Sequence, residues 1–217
     1  MKQLNNYILS KIKNETNISE KLKISKNKFR SNTECTLFPK TKNELFKILY
    51  EEIDNKGPKC SLNHIDVSEI TDMSDLFSWT HSIGHFNGDI SEWDVSNVTN
   101  MLEMFKGSSF DGDLSKWDVS NVENMRDMFE SAHFNNDSIC DWDVSNVENM
   151  NGMFWNSYFD QDISGWDVSN VVNMECMFSK SVFNQDISNW EINPKCNTKN
   201  MFWNSIIEDK YRPTKKK

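Results

Sequence analysis

The sequence predicts an α/β fold, a solenoid of stacked coils that each contribute one short strand and one short helix. The first observation is a set of tryptophans at intervals of 24 or 25 residues, namely Trp93, Trp117, Trp142, Trp166 and Trp190. The second is that the first four open near-copies of one phrase, which reads WDVSNVTNMLEMF at 93–105. A period this short and regular indicates units that bury their apolar faces only against their neighbours.

The apolar spacing within one copy predicts the two elements of a coil. From Val98 onward, apolar residues lie at i, i+3, i+6 and i+7, which is one face of a short helix. The methionines of this pattern recur in pairs in four copies, which favours core packing over a soft binding groove. The segment from the Asp-Ile-Ser triplet through Trp-Asp-Val-Ser is short and rich in β-branched residues, so it predicts one strand per coil.

The chain before the repeats has two parts. Residues 1–40 are polar and rich in Lys and Asn, which predicts a mobile or loosely docked arm. Residues 41–60 are predicted to contain a capping helix, because Thr41 and Glu44 have capping-box spacing and Gly57 ends the apolar pattern. We expect this helix to cover the open end of the first coil.

The repeats are assigned to residues 61–205, in six copies of which the first and last are degenerate. Ile65 takes the tryptophan position in the first copy, and Pro194 interrupts the last one. Atypical end copies are expected where the outer side of a stack faces water. Residues 206–217 are read as a basic tail, and Pro213 together with the lack of an apolar stripe predicts that its end is disordered.

The charge is divided unevenly along the chain. Residues 61–207 hold 24 acidic and 6 basic residues, a balance of −18, whereas 1–60 carry +6 and 208–217 carry +3. The acidic repeats are therefore expected to repel nucleic acid and anionic lipid, and any affinity for polyanions would come from the ends of the chain.

The sequence also bears on location. It contains no run of about 18 apolar residues, so no transmembrane segment is predicted. The N-terminus shows no secretory signal. The five cysteines form no CxxC pair and no ladder, which fits free thiols in a reducing compartment. We therefore expect an intracellular protein, in the cytoplasm or, for a viral source, in the host cell or the virion.

The repeated phrase WDVSNVxNMxxMFxxSxxFNxDIS resembles the BspA-like leucine-rich repeats of bacterial surface lipoproteins and giant-virus proteins. The resemblance covers about 65–205. It implies a leucine-rich-repeat-like solenoid with strands on one face and short helices on the other, a binding role, and no catalytic residues. The chain shows neither the signal peptide nor the lipid-attachment motif of the bacterial members, which favours an intracellular or viral setting.

Polar side chains recur as regularly as the apolar ones, for example Asp94 and Asn97 and their counterparts. The structural interpretation is that they bond to turn backbone and cap the short helix; the alternative is calcium held between stacked carboxylates. His81 and His85 have the i, i+4 spacing of zinc ligands, but Gly84 between them argues against a helix there. We predict no metal and no cofactor.

The function predicted from these features is binding rather than catalysis. The sequence has no Ser/His/Asp order, phosphate loop or paired-carboxylate motif apart from the repeat, so we expect no enzyme. We predict a monomeric, non-catalytic protein–protein interaction module that presents an acidic solenoid surface to an unknown protein partner. The alternative is a structural or adhesin-like assembly component that stacks end to end.

The candidate partner-binding residues occupy exposed positions that vary between copies. They are Trp155, Trp203, Arg126, Lys106 and Lys180. The two tryptophans lie outside the repeated tryptophan position, and an exposed tryptophan is a common hot-spot residue. The alternative is that they pack against the cap or a neighbouring loop.

Overall fold

A computed structural model describes residues 35–214. Within that range lie one α-helix, α1 (Lys42–Lys56), and two 3-10 helices, Asp137–Ile139 and Asp209–Tyr211. Most of the arm predicted at 1–40, up to residue 34, and the last three lysines of the predicted tail fall outside the described residues.

The predicted leucine-rich-repeat solenoid, with one strand and one short helix per coil, is wrong. Between residues 57 and 208 the repeats contain no α-helix and no strand; a single 3-10 turn is their one helical piece. Successive copies are joined by isolated parallel bridges of one residue each, such as Asn100 with Asn124 and Asn124 with Asn149. The repeats are instead built from turns that bond to the equivalent turns of the next copy.

Side-chain hydrogen bonds to the local backbone replace the expected strand. The Oδ1 atom of Asp89 accepts from the N–H of Ser91 at 3.0 Å, and Oδ1 of Asp94 accepts from the N–H of Ser96 at 3.2 Å. Between these two turns, the N–H of Trp93 donates to the carbonyl of Ile90. Because Asp side chains compete with a neighbouring strand for the backbone N–H groups, the segment folds into consecutive turns.

Left-handed backbone replaces the expected helix. The residue directly before the second methionine position, which is Leu76 in the first copy, has a positive φ in all six copies: Asp75, Glu103, Asp127, Gly152, Cys176 and Asn200. A second left-handed position follows the buried phenylalanine by two residues: Gly107, Ser131, Asn156, Lys180 and Asn204. An α-helix requires right-handed dihedral angles at every residue, so it cannot continue through either position.

Alternate backbone N–H groups join each copy to the next. The N–H groups of Met101, Glu103 and Phe105 each donate to a carbonyl of the following copy at 2.9 Å. In each pair, the acceptor directly precedes the residue that is equivalent to the donor. The N–H groups between them bond within their own copy; that of Met104 donates to the carbonyl of Met101. The backbone is thereby satisfied without a strand or an α-helix, as burial requires.

Three columns of aromatic rings fill the interior. Trp93 and Trp117 stack with ring centroids 6.3 Å apart, and Phe105 stacks on Phe129 at 5.5 Å. Phe110 belongs to the third column and lies 4.7 Å from Phe105 of its own copy. The valines and methionines that recur between copies are buried beside these rings, so the recurring apolar pattern of the sequence does mark the core.

Helix α1 packs on the first copy. Thr41 Oγ1 accepts from the N–H of Glu44 at 3.2 Å and begins the helix, and Leu45, Leu49 and Ile53 are buried. The Nζ of Lys42 donates to the side-chain Oγ of Ser74 at 2.5 Å, which ties the helix to that copy. The helix therefore covers the side of the first copy that faces away from the second.

The last copy continues past residue 205, into the residues 206–217 that the sequence predicts to be a basic tail. Ile207 is 3% exposed, and the carbonyl of Tyr211 accepts from the N–H of Ile187 at 3.1 Å. The guanidinium of Arg212 lies 5.4 Å from the ring of Phe202 and donates to the carbonyl of Ile207. Residues 206–212 thus form the second half of the last copy, although they are polar enough to read as a tail.

Candidate functional site

A groove of about 440 Å³ lies on the surface formed by the last copies. We call it the tryptophan groove and define it by its lining residues: Asp127, Glu130, Asn151, Gly152, Trp155, Glu175, Cys176, Ser179, Lys180, Asn200 and Trp203. All of them belong to the segment between the paired methionines or directly after the buried phenylalanine, where the copies differ most in sequence.

The turn backbone fixes the direction of the groove side chains. Trp155 lies between the left-handed residues Gly152 (φ 61°) and Asn156 (φ 53°). The N–H groups of these two residues donate to carbonyls of the next copy, at 2.9 Å to Glu175 and 2.8 Å to Ser179. With Phe154 buried on the inner side, this backbone holds Trp155 toward the outside, and a side chain on a fixed backbone is preorganised for binding.

Lys180 lies between the two groove tryptophans. Its Nζ is 5.3 Å from the ring centroid of Trp155 and 5.3 Å from that of Trp203. Both distances are within the range of a cation–π interaction. Within residues 35–214, Lys180 forms no salt bridge, so the indole rings are the main contacts of its ammonium group.

Carboxylates line the end of the groove that comes from the earliest of the copies that form it. Glu130 accepts from Lys106 at 3.1 Å, and Lys106 also lies 3.5 Å from Glu103. Burial raises the pKa of Glu130 above its ordinary value, and the nearby negative charges of Asp127 and Glu103 add to this effect although Lys106 opposes it. At this end of the groove the three carboxylates of Asp127, Glu130 and Glu103 lie near two cations, Lys106 and Arg126.

The structure brings three of the five predicted partner-binding residues together. Trp155, Lys180 and Trp203 line the groove. Lys106 and Arg126 do not line it, but each pairs with a carboxylate that does: Lys106 with Glu130, and Arg126 with Asp127 at 3.0 Å. The Lys106 side chain is mostly buried, and its ammonium is held within the molecule.

Sequence reasoning missed the acidic lining of the groove. Glu130 occupies the repeat position of Trp155 and Trp203, whereas Asp127 and Glu175 lie in the other variable segment, between the two methionines of their copies. That both segments vary between copies was the available signal. What it could not show is that the left-handed residues bring these positions from successive copies to one side. A further tryptophan, Trp79, is 66% exposed and lies against Gly107, and it does not line the groove.

The recurring Asp and Asn side chains serve the backbone. Asp118 Oδ1 accepts from the N–H and the hydroxyl of Ser120, at 3.2 and 2.6 Å. Asn121 Nδ2 donates to the carbonyl of Ser96 in the preceding copy at 2.8 Å. A second cavity of about 440 Å³ is lined by such carboxylates, Asp118 among them. Among the described residues, no group of three or more His, Cys, Asp or Glu side chains is arranged to hold a metal ion.

This geometry defines a turn-built repeat protein with one partly aromatic groove. A family model described as "Mycoplasma protein of unknown function, DUF285" matches residues 46–157 and 132–210. The two overlapping matches span most of the chain, so the chain belongs to this family. The match is consistent with the resemblance to BspA-like repeat proteins. No curated protein and no solved structure matches the chain. The helices within residues 35–214 lack the length and apolar character needed to cross a bilayer.

Proposed function

We propose that this chain is a non-catalytic protein-binding module that contacts its partner through the tryptophan groove. The observation that carries the proposal is the pair Trp155 and Trp203, which lie outside the core columns and are held on either side of Lys180. Trp203 is 57% exposed. Large aromatic side chains at the surface dominate the binding energy of many protein interfaces, because they bury much apolar area at a small entropic cost.

The use of the polar side chains supports a role without catalysis. The recurring Asp and Ser residues hold turns, as Asp118 and Ser120 do, and the recurring Asn residues bond to the preceding copy. The residues that differ between copies collect at the groove instead. A protein that keeps a constant core and varies one surface is organised to select a partner. The binding role that the BspA-like resemblance implies agrees with this proposal.

We further propose that the module acts as a monomer in a reducing, intracellular compartment. Helix α1 covers the outer side of the first copy, which opposes end-to-end stacking of copies of this chain. Cys60, Cys140 and Cys176 are free thiols. Burial, and then the negative charges of Asp137, Asp162 and Asp141, raise the pKa of Cys140 to about 11, so this thiol resists oxidation.

The test is affinity capture with three forms of the full chain as bait. The first is the wild type, the second carries Trp155→Ala and Trp203→Ala, and the third carries Trp79→Ala. Trp79 is also exposed but lies outside the groove, so its variant controls for loss of a surface tryptophan. We expect a partner retained by the wild type and the Trp79→Ala control and lost by the double variant. Equal retention by the double variant would contradict the proposal.

A further inference from the structure

We propose that the partner presents a basic segment, and that Lys180 occupies in the unbound protein the position that an arginine or lysine of this segment takes on binding. This inference rests on the proposed function, because it names the chemistry of the partner at the same groove. Lys180 would then fill the binding position in the unbound protein and would not itself contact the partner.

The first argument is the geometry around Lys180. Its Nζ lies at the same 5.3 Å from the centroids of Trp155 and Trp203, so the two indoles together form a seat for a cation. Aromatic faces attract cations through the ring quadrupole, and tryptophan does so most strongly. The space between the two indoles therefore suits a positively charged group, and the ammonium of Lys180 occupies it in this structure.

The second argument is that Lys180 is weakly held. Its side chain is exposed, and within the described range it has no salt bridge. A cation–π contact at an exposed site stabilises by only about 0.5–1 kcal/mol. By contrast Lys106, three copies earlier, is held by Glu130 and Glu103 and is mostly buried. Lys180 can therefore leave the indoles at little cost, whereas Lys106 cannot.

The third argument is the charge of the groove. Its lining includes the carboxylates of Asp127, Glu130 and Glu175 and one cation, Lys180. Residues 61–207 as a whole carry −18. A basic segment would place one cationic side chain between the indoles and others near these carboxylates, while the field of the whole repeat region attracts it. An acidic segment would find one weakly held cation and several like charges.

The variant that tests the inference is Lys180→Asn. Asn156 and Asn204 occupy the equivalent position in the neighbouring copies with φ values of 53° and 55°, close to the 57° of Lys180, so the backbone accepts asparagine there. Lys199→Asn is the matched control. It removes the same charge from an exposed residue of the last copy that does not line the groove.

The measurement is the fluorescence anisotropy of two labelled peptides of equal length, one of alternating Arg and Gly and one of alternating Glu and Gly. We expect the Arg-Gly peptide to bind, and Lys180→Asn to tighten its binding about threefold to fivefold because the seat is vacated. Lys199→Asn changes only the long-range charge and should tighten binding less. The indole N–H signals of Trp155 and Trp203 should shift in the NMR spectrum when the Arg-Gly peptide is added.

Three results would overturn the inference. In the first, Lys180→Asn lowers the affinity for the Arg-Gly peptide, or changes it no more than Lys199→Asn does. In the second, the protein prefers the Glu-Gly peptide. In the third, the Lys180→Asn variant does not bind the Arg-Gly peptide. The proposed function fails separately, when the captured partner binds the double tryptophan variant as well as the wild type. If the captured partner is lost on removing the tryptophans and also binds Lys180→Asn more weakly, the proposed function holds and the inference of a basic segment is wrong.

Discussion

At the scale of single residues, the buried tryptophans combine an apolar and a polar contact. Trp117 is 4% exposed and stacks between Trp93 and Trp142. Its Nε1 donates to the carbonyl of Ile90 in the preceding copy at 3.1 Å. One side chain therefore fixes both the spacing of the copies and their register, because the hydrogen bond is directional while ring stacking is not.

The first prediction concerns this side chain. Trp117→Ala should lower the free energy of unfolding by about 3–5 kcal/mol, the range for truncating a large core residue. Trp117→Phe should lower it by less, since part of the ring remains and the Ile90 carbonyl, which loses the indole donor, still accepts from the N–H of Trp93. The measurement is urea unfolding followed by circular dichroism. A Trp117→Ala protein as stable as the parent would show that the column does not hold the copies together.

The second prediction concerns the second left-handed position. Gly107 has a φ of 61°, and a Cβ added there would lie 2.6 Å from the ring of Trp79. Gly107→Ala should therefore destabilise by about 1–2 kcal/mol from the backbone strain, with a further loss from the displaced indole. The control is Ser131→Ala, at the equivalent position with φ 55° and a Cβ already present. It removes an exposed hydrogen bond from Asn156 Nδ2 and should change stability by less than about 0.5 kcal/mol. Equal effects in thermal melts would refute this.

At the scale of the elements, the turns explain which sequence predictions held. The apolar residues that follow Val98 are buried as predicted, yet the helix is absent. The reason is that turns closed by i to i+3 hydrogen bonds also advance three residues at a time, as from Met101 to Met104, so they repeat the apolar spacing of a helix. Periodicity alone could not separate the two structures.

The left-handed positions contained a partial signal. Asp75, Asp127, Gly152 and Asn200 are residue types that adopt positive φ at low cost, and they recur between the methionines. Glu103 and Cys176, at the same position, gave no such indication because their side chains disfavour it. Thr41 and Glu44 behaved differently: a capping box is a local motif, and the helix it predicted begins at Lys42. For the candidate site, sequence variation between copies identified the two tryptophans and Lys180. The acidic lining could be recognised only once the backbone conformation was known.

The third prediction concerns the turns closed by Asp side chains. Hydrogen bonds from the N–H of Ser164 and from its side chain lower the pKa of Asp162 below its ordinary 3.8. Asp167, hydrogen-bonded by Ser169, is lowered in the same way. A carboxyl whose pKa is lower in the folded state stabilises that state above pH 3.8 and loses this contribution as the pH falls through the folded value. We expect the melting temperature to fall steeply below about pH 4.

The matched variant for this prediction is Asp162→Asn. Asparagine already closes a turn of the same kind elsewhere in the chain, since Asn136 Oδ1 accepts from the N–H of Ser138 at 2.9 Å at the start of the 3-10 helix, so asparagine can preserve the hydrogen bond without the titrating group. The melting temperature of the variant should depend less on pH between 3 and 5 than that of the wild type. Because Asp162 is largely exposed, its contribution to the free energy of unfolding, and so the difference between the wild type and the variant, should stay below about 1 kcal/mol. Identical pH profiles would contradict the assignment.

At the scale of the whole molecule, a constant interior supports one varied surface. The aromatic columns and the hydrogen bonds between copies repeat along the chain, while the groove combines side chains from its later copies. This arrangement depends on the left-handed residues. Lys180, for example, reaches both indoles from a backbone with φ 57°. With a strand and a helix in each coil, the same sequence would direct these side chains elsewhere.

The most direct test of this account is an NMR determination of the backbone dihedral angles at Glu103, Cys176 and Lys180. We expect positive φ at all three, seen as strong amide-to-Hα cross-peaks within each residue and as coupling constants outside the helical range. We also expect slow amide exchange at Glu103 and Cys176, whose N–H groups donate to the next copy. Right-handed helical values at Glu103 and Cys176 would contradict this account, because the turns between the copies and the groove they support would then not exist.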